Sequence, residues 1–192
     1  MAQSDWDFED ANWAIDTAQY VSSPSSLKQV AGDFASILSR RSDCQNLPQG
    51  RIVTQFRATT DGSILALLCR NQAALGVADS LNCYELYRTL NGASGYCSMI
   101  RFEAGETAWS ASFGTLPALS ANTWYQFRFT WWIDWGSVRF RLERWNGSAW
   151  VQEGEDVTDP ANKWAASSVN RPGLKHLYDN IWRDDTELWG PS

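Results

Sequence analysis

The sequence predicts an all-β fold of two packed antiparallel sheets, a β-sandwich or jelly roll. Three observations carry this prediction. Helical periodicity is almost absent. Runs of alternating apolar and polar residues recur along the chain. The joints between those runs are rich in Gly, Asn, Asp, Ser and Pro. With 192 residues, 44% of them apolar and 20% charged, the chain has a globular composition and enough length for a sizeable core. It reads as one domain over residues 1–192, with no internal repeat and no low-complexity linker.

Strands are expected near 5–10, 20–30, 35–40, 50–58, 63–71, 82–89, 95–103, 108–114, 123–133, 136–145, 149–153 and 174–183. Three joints have explicit turn chemistry. TLNGASG (89–95) carries Asn-Gly and a second Gly. DWGS (134–137) tightly connects two long strands. WNGSAW (145–150) has the Asn-Gly of a hairpin.

The stretch FRFTWWIDWGSVRFRLERWNGSAW (127–150) holds five of the twelve tryptophans. Alternation sorts them. Tyr125, Phe127, Phe129, Trp131 and Ile133 share one face, continued by Val138, Phe140 and Leu142 on the next strand. That face is apolar and must be core. The other face collects Arg128, Thr130, Trp132, Arg139, Arg141, Glu143 and Trp145, with Trp135 at the rim. Arg128, Arg139, Arg141 and Glu143 can form a cross-strand charge ladder. Two readings of these outward tryptophans compete. In one, guanidinium planes stack on the rings and cover them. In the other, the rings form a sugar platform: pyranose C–H faces are apolar, and flanking Arg, Glu and Gln bind the hydroxyls.

A second candidate face comes from LLCRN, CYELYR and SMIRFE. Cys83, Glu85 and Tyr87 alternate onto one side, with Arg70 and Arg101 expected nearby. The competing reading is a solvated sheet face.

A net charge of -6 and a pI near 4.7 argue against nucleic acid, which requires a basic footprint. They also argue against anionic membranes and strongly anionic polymers, except where a local basic patch escapes the whole-chain average. The N-terminus MAQSDWDFED has no signal-peptide pattern, and no apolar run reaches the roughly 18 residues of a membrane span. A soluble chain is expected. Cys44, Cys69, Cys83 and Cys97 contain no CxxC pair, and His176 is the lone histidine, so a zinc site of the usual kinds is not expected. Four cysteines allow three pairings. Cys69 and Cys83, on successive strands, are placed to face each other, and buried free thiols are the competing reading.

In order along the chain stand DFEDANW, SSPSSLK, GRIVTQFR, LALLCR, NCYELYR, SMIRFEAGE, NTWYQFRFTWW, GSVRFRLERW, AWVQEGEDVTD, RPGL and LYDNIW. This order resembles the concanavalin A-like (laminin G-like) jelly-roll superfamily over nearly the whole chain. The resemblance implies two antiparallel sheets with the N- and C-terminal strands side by side. It also implies a function among lectins, glycan-binding modules, glycoside hydrolases, polysaccharide lyases or phage tail and capsid-surface proteins. The fold alone does not choose among these.

Catalytic motifs of the superfamily are missing. No E-x-D-x-x-E strand places two carboxylates about 5–5.5 Å apart. R-x-E-x-R, Q-x-H and Y-x-K-x-G-x-Y are likewise absent, and one histidine supports no Ser-His-Asp set. A pair assembled from distant strands, such as Glu85 with Glu103, is the remaining catalytic option, so no enzyme is expected. Many jelly-roll glycan-binding modules hold one structural calcium between the terminal strands. Carried over, its candidate ligands are Asp7, Glu9 and Asp10 in DFED and Asp179 in YDN. Asn146-Gly147-Ser148 matches a glycosylation sequon, but its turn role is sufficient.

The expected function is non-catalytic recognition of a carbohydrate or cell-surface polymer, at an extracellular or virion surface. Capsid or tail proteins are possible partners, through the N-terminal arm or the aromatic end WRDDTELWG (182–190). The alternatives are a polysaccharide-active enzyme of the same fold and a purely structural virion decoration protein.

Overall fold

The computed structural model describes residues 6–8, 13–18, 21, 26–29, 35–39, 42–44, 46–60, 62–74, 81–89, 95–177 and 181–189. They form fifteen strands: β1 (Trp6–Phe8), β2 (Trp13–Asp16), β3 (Ser26–Gln29), β4 (Ala35–Ser39), β5 (Gly50–Ala58), β6 (Ile64–Asn71), β7 (Cys83–Thr89), β8 (Cys97–Glu103), β9 (Glu106–Ser112), β10 (Tyr125–Asp134), β11 (Ser137–Trp145), β12 (Trp150–Gln152), β13 (Val157–Asp159), β14 (Arg171–Leu177) and β15 (Ile181–Trp189). A seven-stranded sheet runs β1-β4-β14-β6-β7-β8-β9. An eight-stranded sheet runs β12-β11-β10-β5-β15-β3-β2, with β13 paired to β11. This is the expected two-sheet antiparallel sandwich.

The core lies between the sheets. From the eight-stranded sheet come Ile52, Phe56, Phe127, Phe129, Trp131, Val138, Phe140 and Leu142, every one fully buried. The facing sheet supplies Leu65, Leu67, Tyr84, Leu86, Met99 and Leu174. Phe140 stacks on Phe129 at 6.2 Å and meets Tyr84 across the sandwich at 5.0 Å. Each large ring removed from water here contributes about 1.5–3 kcal/mol. Trp131 keeps its one polar atom satisfied, donating Nε1–H to the Leu47 carbonyl at 3.1 Å. Gly50 makes room for it: a Cβ there would stand 2.9 Å from the Trp131 ring and 2.6 Å from the Trp189 carbonyl.

Several expectations change. The single strand expected over 174–183 is two strands, and they lie in different sheets. Both halves are apolar enough to look continuous, so the passage between sheets leaves no mark in the alternation. β15 then runs through the middle of the eight-stranded sheet, between β5 and β3, so the aromatic end at 182–189 is a paired strand. β2 and β13 are additional strands. β13 forms within GEDVTD, outside every expected strand. The terminal strands are not side by side: β1 pairs β4 in one sheet and β15 lies in the other. Cys69 and Cys83 do not face each other. Cys69 is opposite Tyr84 and packs in the main core, whereas Cys83 joins Leu38, Leu68 and Ala73 in a second cluster. All four cysteines are buried free thiols, and burial pushes Cys69 and Cys97 far up from the ordinary thiol range.

Candidate functional site: an arginine-lined groove on the eight-stranded sheet

The outward face of β5, β10 and β11 follows from alternation, and the structure places the first candidate set there. In register across β10 and β11, Arg128 stands opposite Glu143, Thr130 opposite Arg141, and Trp132 opposite Arg139. Arg128 grips Glu143 with two hydrogen bonds of 2.6 and 2.5 Å and lies over the Trp150 ring at 4.6 Å. Arg141 grips Asp156 the same way, at 2.8 and 2.7 Å. Arg139 donates to Asp134 at 2.9 Å. Both Arg139 and Arg141 approach the Trp132 ring, at 5.6 and 5.4 Å. The expected charge ladder is therefore present, and guanidinium groups pack against Trp132.

Asp156 is a member that sequence reasoning missed. Hydrogen bonding to Arg141 holds its carboxyl below the usual aspartate range, against the opposing effect of burial. Its signal was the acidic GEDVTD stretch beside an arginine-rich strand. Arg51 was also missed, although alternation in GRIVTQFR puts it outward. It faces Thr130 on one side and Trp189 on the other, and its guanidinium lies over the Trp189 ring at 4.8 Å.

Arg51, Arg128, Thr130, Trp132, Arg141 and Glu143 line an open groove of about 370 Å³. Its volume falls within the range of small-ligand sites. Its one lining carboxylate is engaged by Arg128, and the nearby Asp156 is held ionised. A glycosidase requires two carboxyl groups flanking the bond, one of them with a raised pKa. The groove can hold a polar ligand, but it lacks that pair. Three guanidiniums with one engaged carboxylate also do not suit a hard cation.

Two further candidate tryptophans, Trp145 and Trp135, lie at the end of β11 and at the β10–β11 turn. Trp145 is partly exposed and edge-stacked on Trp150 at 5.5 Å. Between them, Asn146 Oδ1 accepts from the Ser148 and Ala149 amides, which is the turn role expected of the sequon. Trp135 is 100% exposed at the β10–β11 turn. Trp135 and Gly136 both have positive φ, 50° and 81°, as a type I′ hairpin turn requires.

The second candidate set is brought together only in part: Glu85 and Tyr87 interact on one face, and the two arginines leave it. Glu85 is fully buried and paired with the almost fully buried Lys175 at 3.1 Å, and Tyr87 is raised by burial and by Glu85. Arg101, opposite Tyr84, turns to the other side of the sheet and pairs with Asp159 and Glu103. Arg70 also turns there. Its backbone has φ 50°, which breaks the alternation, and its guanidinium donates to the Pro48 carbonyl and Asn162 Oδ1, both at 2.7 Å. Glu85 and Glu103 are not a carboxylate pair. Glu85 is in register with Ile100, three residues from Glu103, about 10 Å along the strand. Each carboxylate also has its own cation.

Of the calcium candidates, Glu9, Asp10 and Asp179 lie outside the described residues. Asp7 is on β1 opposite Leu38, which in turn faces Gly173 of β14. Among the described residues there is no group of three or more His, Cys, Asp or Glu able to hold a metal. The turn at TLNGASG lies largely outside the described residues.

No family model and no curated protein sequence matches the chain. Solved structures do. The VIP36 exoplasmic/lumenal domain, in a Ca2+- and Man2-bound form, superposes with a TM-score of 0.60 at 13% identity, over 100% of this chain and 84% of that one. The carbohydrate recognition domain of Emp46p, in its metal-free form, gives 0.59 at 12% identity, over 98% and 90%. An engineered GH43 glycoside hydrolase gives 0.55 at 11%, over 93% of this chain and 41% of that one. At these identities the likeness speaks for the fold alone, and the fold of this chain is the concanavalin A-like jelly roll.

Proposed function

We propose that the protein is a non-catalytic glycan-recognition domain that works at an extracellular surface, and that its binding site is the outward face of β5, β10 and β11. One observation carries this reading: the groove formed by Arg51, Arg128, Thr130, Trp132, Arg141 and Glu143. It combines an indole wall with hydrogen-bonding groups, and the ion pairs of Arg128 and Arg141 hold those two side chains in fixed geometry, a preorganisation that lowers the cost of binding. The lectin domains that share the fold support the reading, and so does a carboxylate arrangement unsuited to glycosidic cleavage.

The test is affinity electrophoresis of the purified protein through gels containing a panel of soluble polysaccharides. At least one polymer retards the protein, and Trp132→Ala, with folding verified by circular dichroism, relieves the retardation. If no polymer across a broad panel retards it, the groove is not a glycan site. The arginine–tryptophan face is then an assembly contact, as in a structural virion decoration protein.

A further inference from the structure

The cations of the groove are not equivalent. Arg128 is neutralised by Glu143, and Arg141 by Asp156, each through two short hydrogen bonds. Arg51 is different. Among the described residues no carboxylate lies within 4 Å of it, its Nε is buried with no hydrogen-bond partner, and its contact is the Trp189 ring. The hydroxyl of Thr130, next to it in register, likewise has no protein partner among the described residues. Trp189, Arg51, Thr130 and Arg141 therefore form one row across β15, β5, β10 and β11. In that row an uncompensated guanidinium fork and a free hydroxyl adjoin the groove floor.

We propose that this groove selects an acidic sugar, with Arg51 and Thr130 receiving the carboxylate of a uronic acid residue. The inference rests on the reading of the groove as a glycan site and names the class of glycan. A planar carboxylate matches the guanidinium fork, and a hydrogen bond between two ions is about twice as strong as one between neutral groups. A guanidinium also donates to a neutral hydroxyl, but its charge adds more when the acceptor is a carboxylate. Long-range attraction is not the source of the preference, because the chain as a whole is anionic, at -6. Selection comes from short-range pairing at one position.

The experiment uses one backbone in two charge states: polygalacturonate and the same polymer after carboxyl reduction, with alginate and its reduced form as a second pair. Dissociation constants are measured by affinity electrophoresis at fixed ionic strength for the wild type, Arg51→Gln and Arg51→Lys. Within at least one pair, the acidic polymer binds the wild type roughly tenfold more tightly than its reduced form. Arg51→Gln brings the acidic and the reduced form to equal affinity. Arg51→Lys keeps the charge, loses the fork and falls between. If both forms of each pair bind equally, or the reduced form binds better, acid selection is overturned while glycan recognition stands. It is also overturned if the acidic preference survives in Arg51→Gln. Failure of every acidic and neutral polymer to bind overturns the glycan site and this inference together.

Discussion

The two clusters of mixed polarity have opposite fates. Arg, Glu and aromatic residues alternate with apolar ones in both β6–β8 and β10–β11, and on paper the two look alike. In the seven-stranded sheet the cluster is buried and divided: Glu85 closes on Lys175 on one side, while Arg70 and Arg101 swing to the other. In the eight-stranded sheet the cluster remains together, partly solvated, and lines a groove. The difference lies in what happens to the charges. Buried charges are consumed by their partners, because a buried ion without one is too costly to keep. Partly solvated charges can leave one guanidinium uncompensated.

The sharpest way to break this comparison is to remove one ion from each cluster. Lys175→Ala removes the buried cation paired with Glu85 and is expected to cost about 3–5 kcal/mol, much of it recovered when Glu85→Leu is added. Arg128→Ala, in the partly exposed pair with Glu143, costs no more than about 1 kcal/mol. Urea unfolding midpoints measure both, and equal losses would erase the distinction.

Next in size is Gly50→Ala, where the new methyl meets the Trp131 ring and the Trp189 carbonyl. Overpacking there costs about 1–3 kcal/mol by the same measurement. An unchanged midpoint would mean that the sheet relaxes freely behind the groove.

Trp135→Asn works in the opposite direction. The indole is fully exposed on a left-handed backbone that an L residue adopts at a cost and that Asn tolerates. The substitution is expected to stabilise the protein by about 0.5–1 kcal/mol. A thermal melt that shifts downward would show that Trp135 has a stabilising contact.

The smallest effect is on pH. Asp156 has a lowered pKa in the folded protein, so its contribution is complete above the ordinary aspartate value of about 3.9 and is lost as pH falls through the folded value. The stability lead of wild type over Asp156→Asn should hold from pH 7 to about pH 4 and close below it. A lead that closes between pH 5 and 7 would mean that the carboxyl is raised, not lowered.

Much of the fold was legible because alternation survives in long strands. The two faces of β10 and β11 follow from counting by twos, as do the core positions of Phe127, Phe129, Trp131, Phe140 and Leu142. What failed was whatever alternation does not encode. The left-handed backbone at Arg70 reverses the direction of one side chain, and no turn residue announces it. The change of sheet between β14 and β15 is silent because both strands are partly apolar. Whether an alternating strand faces water or another layer depends on segments distant in sequence, and so the burial of Glu85 was not foreseen. Within the groove, Arg128, Trp132, Arg141 and Glu143 were readable. Asp156 and Arg51 required the register of neighbouring strands, and the whole-chain charge of -6 concealed a local excess of arginine.

The central claim, that the outward face of the eight-stranded sheet is the ligand-binding face, is tested most directly by NMR mapping. A saturating oligosaccharide from whichever polymer retards the protein is added to 15N-labelled protein. The largest shifts are expected on the Trp132 indole N–H and on the amides of Arg51, Thr130 and Arg141. Shifts centred on β6, β7 and β8 of the opposite sheet, with these four unmoved, would contradict it.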